Sequence, residues 1–146
     1  MVTCCNKYVT YYIMLAFHVL LPVFCAIFMN GIIYTFRLNN NNNNKRFLPP
    51  GYMIGIIWTI LFSLLGYVHY RLYSLNNKMN FGSISIVLFI LFALAYPLMS
   101  GYFMNVISLI LSFILSLIVM MYSKHIVVFL IPLLLWVSYV NLVVFY

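Results

Sequence analysis

Two tryptophans, Trp58 and Trp136, and two histidines set in apolar runs, His18 and His69, are the residues whose types could do chemistry. Indole offers a broad aromatic surface with one N–H donor, and imidazole ligates metals, haem iron included. No second ligand type accompanies the two histidines, so hydrogen-bonded histidines are expected and a metal site is not. The 146 residues contain no Asp and no Glu. That excludes a carboxylate pair for glycoside hydrolysis, an Asp to orient a triad histidine, and side-chain carboxylates for Mg²⁺ or Ca²⁺. The three cysteines form no framework. Cys4 and Cys5 are neighbours, and Cys25 lies about 30 Å from them along a helix, beyond disulfide reach.

The elements that carry these residues follow from composition. The chain is 67% hydrophobic and 5% charged, with a net charge of +7. Soluble domains carry about 25% charged residues. Lys7, Arg37, Lys45, Arg46, Arg71, Lys78 and Lys124 are scattered between apolar stretches rather than clustered, which argues against a nucleic-acid partner. They sit where the loop cations of a membrane protein belong. The expected partner is the lipid bilayer, and the expected location is a multi-pass position within it.

A spanning helix needs about 20 largely apolar residues. One candidate runs from residue 8 to 36, and a second from 50 to 73, opened by Pro49-Pro50-Gly51. The stretch 81–123 carries no charge. As one helix it would be about 60 Å long, twice the hydrocarbon thickness, so it must fold back. Pro97, Ser100 and Gly101 mark the turn and give helices at 82–99 and 102–122, and a fifth follows at 125–146. The expected fold is all-α, a single transmembrane domain over residues 1–146 built as a five-helix bundle. Residues 38–48 form the main loop and hold the run Asn39–Asn44. Cations divide four against three between the two sides, so charge does not set the orientation.

On the second helix Trp58, Phe62, Leu65, Gly66 and His69 share one stripe. On the fifth, Pro132, Trp136, Tyr139 and Val140 line up in the same way. Either stripe suits helix packing or the wall of a pocket, with Gly66 leaving room. Both Trp lie too deep for an interfacial aromatic belt, whereas many of the 13 Tyr fall near helix ends. Pro22, Pro97 and Pro132 free the carbonyls of His18, Ala93 and Val128, and each then needs a partner within the hydrocarbon. Asn30 and Asn141 are expected to bind helix to helix.

The segment Phe47-Leu-Pro-Pro-Gly-Tyr-Met-Ile-Gly-Ile-Ile-Trp-Thr-Ile-Leu-Phe-Ser-Leu-Leu-Gly-Tyr67 closely resembles the signature of the TspO/MBR family, the tryptophan-rich sensory and mitochondrial translocator proteins. Pro49, Pro50, Trp58, Leu61, Phe62, Gly66 and Tyr67 fall in the family register. Pro132-Leu-Leu-Leu-Trp136 is similar to the Pro-Tyr-x-x-Trp of the family's fifth helix. The chain reads as a divergent member. Ala93-x-x-Tyr96 stands where relatives carry Asn-x-x-Trp, and past Trp136 there is no Tyr-x-x-x-Arg sterol motif of animal members.

The resemblance implies five transmembrane helices around a pocket that takes tetrapyrroles, protoporphyrin IX or haem, as ligand, with no cofactor required. It implies that Trp58 and Trp136 flank the ring and serve as oxidisable, catalytic indoles in light- and oxygen-dependent porphyrin breakdown. Tyr34, Pro49, Pro50 and Tyr52 would form the mouth, and Phe62, Gly66, Tyr96 and Tyr139 complete the implied binding set. Arg37, Lys45 and Arg46 nearby favour the propionates. The competing expectation is a non-catalytic carrier of lipid or sterol-like molecules, or a membrane signalling adaptor, using the same pocket. Relatives are commonly homodimers, and the resemblance carries that expectation over.

Overall fold

The computed structural model describes residues 2–36, 49–76, 79–99 and 102–145, with side chains over 10–33, 35, 49–75, 79–97 and 103–143. The Asn-rich loop 38–48 with Arg37, Lys45 and Arg46, and the side chains of Tyr34, Cys4, Cys5 and Lys7, lie outside the described residues. The described chain is helical: α1 (Val2–Phe36), α2 (Gly51–Asn76), α3 (Phe81–Ala95), α4 (Tyr102–Tyr122) and α5 (Ile131–Phe145). The all-α, five-helix fold is therefore as the sequence indicates. Segments Thr10–Ile33, Gly51–Leu75 and Phe103–Tyr122 are each long and apolar enough to cross a membrane. This is an integral membrane protein.

The two shorter helices gain length from 3₁₀ turns. Tyr96–Met99 extends α3, and Val127–Leu130 precedes α5. At 1.5 Å per residue in α-helix and 2.0 Å in 3₁₀, each composite reaches about 30 Å, the hydrocarbon thickness. Proline accounts for the first change. Pro97 has no N–H to continue the α-helical ladder, while Tyr96 before it keeps α dihedrals and its N–H still bonds to the Phe92 carbonyl. Pro132 behaves differently from the sequence expectation. It follows directly on the 3₁₀ turn, at the second residue of α5, and the Val128 carbonyl it leaves takes the Ile131 N–H instead.

Consecutive helices pack on one another, most extensively α1 on α2, and the 3₁₀ turn before α5 reaches back to α2 and α4. The core they share is aliphatic: Leu65, Val68 and Leu72 from α2, Ile86 from α3, Val119 from α4, and Leu130 and Leu133 at the start of the fifth element. Phe17, Leu20, Phe24 and Phe28 of α1 point outward, as side chains in contact with hydrocarbon should. Asn80 caps α3 by accepting from the Ser83 N–H at 2.7 Å, and its Nδ2 donates to the Leu72 carbonyl at 3.0 Å, which ties α3 to α2.

Pro22 leaves the His18 carbonyl without its helical donor, and this carbonyl meets α2 at Gly66. A Cβ on Gly66 would lie 2.5 Å from the His18 oxygen and 2.9 Å from Val19 Cα. Both neighbours are backbone and cannot turn aside. Gly31, by contrast, has nothing within 4 Å of its would-be Cβ. Gly66→Ala should therefore lower stability in detergent by about 1–3 kcal/mol through overpacking, while Gly31→Ala leaves it unchanged or slightly raised. Thermal unfolding of the two variants checks this; equal stabilities would contradict the close approach.

Candidate functional site

The α2 stripe faces inward as its spacing indicates. Phe62, Leu65, Gly66 and His69 are buried, and Trp58 is half-buried at the edge. The Trp58 and Phe62 rings lie 6.0 Å apart and inclined at 55°. At the head of this helix the Pro50 carbonyl accepts from the N–H groups of Met53 and Ile54 at 2.9 and 3.3 Å. Pro49 is half-buried and Pro50 exposed, while Tyr52 is 70% exposed and so directed outward. Gly66 is covered by the backbone of α1.

The α5 stripe is shifted from the one expected. Leu133, Val137 and Asn141 form the buried row, while Pro132 is exposed and Tyr139 is 39% exposed. Trp136 stands half-buried beside that row, its ring 5.8 Å from Tyr139 and inclined at 31°. The register is set by Asn141, whose Nδ2 donates to the Asn105 carbonyl on α4 at 3.1 Å and to the Val137 carbonyl at 2.8 Å. A polar group in hydrocarbon must turn toward a partner, and the helix turns with it.

Trp58 and Trp136 both border the same apolar core, one from α2 and one from α5. Each makes its ring contact within its own helix. The Trp136 Nε1 is buried without a hydrogen-bond partner, and so is the Asn141 Oδ1. An unpaired donor and an unpaired acceptor thus lie five residues apart on α5. Tyr96, half-buried at the end of α3, donates its hydroxyl to the Asn105 Oδ1. The Tyr96–Asn105–Asn141 chain links three helices.

Asn30 behaves as expected of interhelical glue, its Nδ2 donating to the Gly55 carbonyl at 3.3 Å. Asn105 was missed, although a lone Asn within the apolar run 102–122 was a usable signal. The pairing of His18 with His69 was missed as well. Their Nδ1 atoms lie 3.1 Å apart across the α1–α2 seam, 51 residues apart in sequence. Among the described residues no group of three or more His, Cys, Asp or Glu gathers.

The profile of the TspO/MBR family matches residues 17–146, nearly the whole bundle. The chain belongs to the TspO/MBR family. No curated protein and no solved structure matches it. The match runs through α2 and α5, so both tryptophans fall inside the family's span. It also takes in Asn105 and Asn141, which hold α5 of this TspO/MBR protein in register.

An unsatisfied buried donor costs about 1–3 kcal/mol. Trp136→Phe removes one, so it should leave the stability of the ligand-free protein within about 1 kcal/mol of the parent, or raise it. Tyr96→Phe does the reverse, leaving the Asn105 Oδ1 without its donor, and should cost about 0.6–1.7 kcal/mol. Unfolding in mixed micelles compares the two. A Trp136→Phe loss larger than that of Tyr96→Phe would show that the indole is a structural member of the core.

Proposed function

We propose that this protein binds a tetrapyrrole, protoporphyrin IX or haem, between α2 and α5, with Trp58 and Trp136 against the ring. The observation that carries the reading is the buried, unpartnered Nε1–H of Trp136, a donor in apolar surroundings that a ligand acceptor would satisfy. Membership of the TspO/MBR family, whose match includes both tryptophans, supports the reading. The two half-buried indoles border a common core, and each has an aromatic neighbour that widens its surface, Phe62 for one and Tyr139 for the other. A porphyrin is a flat apolar ring with two carboxylates. The chain supplies aromatic surface for the first and, with +7 net charge and no acidic residue, an attractive field for the second.

Binding and breakdown are separable. Stacking alone makes the protein a carrier or scavenger. Photo-oxidative degradation additionally needs light, dioxygen as oxidant and an indole able to give up an electron.

The test is a protoporphyrin IX titration of purified protein in detergent, followed in the dark by Soret absorbance and then under illumination in air. Saturation at micromolar ligand is expected. Each Trp→Phe variant should bind about two- to tenfold more weakly, the equivalent of 0.5–1.5 kcal/mol per stacked pair. Bleaching in light that disappears in the double variant would make the protein an enzyme, and unchanged bleaching would remove the indoles from any such chemistry. No saturable binding would overturn the tetrapyrrole reading, and saturation by a fluorescent sterol instead would favour the carrier alternative.

A further inference from the structure

We propose that His18 and His69 form a two-imidazole clamp for a late first-row transition-metal ion, copper or zinc, at the α1–α2 seam. The two Nδ1 atoms face each other at 3.1 Å, with ring centroids 4.8 Å apart and planes inclined at 63°. Between two neutral imidazoles at that distance there is room for one proton, donated by one Nδ1 and accepted by the other. A metal ion takes the place of that proton, which moves to the Nε2 of the ring that carried it, so both imidazoles stay neutral and present an Nδ1 lone pair. At the usual metal–nitrogen distance of about 2.0–2.1 Å, nitrogens this far apart subtend about 98° at the ion, between octahedral and tetrahedral values. Bringing both lone pairs onto the ion is a matter of turning the rings about χ2, a broad torsion for imidazole.

His69 is 9% exposed and its Nδ1 meets His18. Its Nε2 is buried without a partner and stays so whether a proton or a metal ion lies between the two Nδ1 atoms. Tyr70 and Tyr73 flank the half-buried His18 ring at 5.8 and 5.5 Å. Arg71, the nearest cation in sequence to His69, is exposed and lies about 200° around the helix from it. His69 stands six residues before Leu75, where the apolar segment of α2 ends, which places the pair about 9 Å from that end of the span. The ion would sit nearer that end of the span than the midplane. Imidazole suits both copper and zinc.

The test uses tag-free, full-length protein in detergent, stripped with a chelator and titrated separately with Zn²⁺ and Cu²⁺ by calorimetry. One ion per chain is expected, with either metal or both. His18→Gln and His69→Gln should each weaken binding more than tenfold, and His125→Gln, at an exposed turn, should leave it unchanged. The Cu²⁺ form of the parent should show hyperfine coupling to two nitrogens by electron paramagnetic resonance, falling to one in either variant. That signature is read on the parent, so it decides the matter even where a variant fails to fold. Unchanged binding in both seam variants, loss in His125→Gln, or fewer than two coupled nitrogens in the parent would overturn the proposal.

Discussion

Within hydrocarbon a carbonyl that has lost its own donor cannot turn to water, and the arrangement of this bundle grows from one such group. Pro22 takes the donor from the His18 carbonyl, and α2 answers with Gly66, the one residue type that lets a backbone come this close. The contact fixes how α1 lies on α2, the most extensive helix pair in the protein. It also fixes what stands beside it. Once the His18 carbonyl is set against Gly66, the His18 side chain is carried to His69, three residues further along α2, and the imidazoles meet.

The remaining helices are held by the same logic with side-chain amides in place of a bare carbonyl. Asn30 reaches the Gly55 carbonyl and ties the other half of α1 to α2. Asn80 joins the end of α2 to the start of α3. Tyr96, Asn105 and Asn141 join α3, α4 and α5. Lipid tails are as apolar as Leu, so aliphatic side chains give little preference for one helix face over another. Polar groups that must find a partner supply that preference. They explain how a chain so uniformly apolar adopts one rotation for each helix.

What was legible in the sequence divides along this line. The five helices and the membrane location could be read because length and charge decide them. The inward face of α2 could be read because Trp58, Phe62, Gly66 and His69 differ in kind from their neighbours and recur at helical spacing. The inward face of α5 could not be read from its large residues. Leu, Val, Trp and Tyr surround that helix on every side, and Asn141 alone carries the register. The His18–His69 pair needs the tertiary contact at Gly66 before either residue has a partner, so no local pattern reveals it. Pro132 misled for a simpler reason: the Val128 carbonyl takes the Ile131 N–H in a 3₁₀ turn and needs no partner from another helix.

The two regions argued to bind something lie on one face of α2 yet do not merge. From Trp58 to His69 is eleven residues, about 16 Å along the helix axis. Between them the α1 backbone sits on Gly66 with no space for a methyl group, which closes that face like a seam. A flat ring against Trp58 and Phe62 cannot slide past that point to reach the imidazoles. A metal held by His18 and His69 is therefore walled off from the indoles and cannot act as the central or axial ion of a bound tetrapyrrole. Gly66 stands three residues from His69 and eight from Trp58, so the seam leaves the longer stretch of that face on the indole side, where a flat ring would need it.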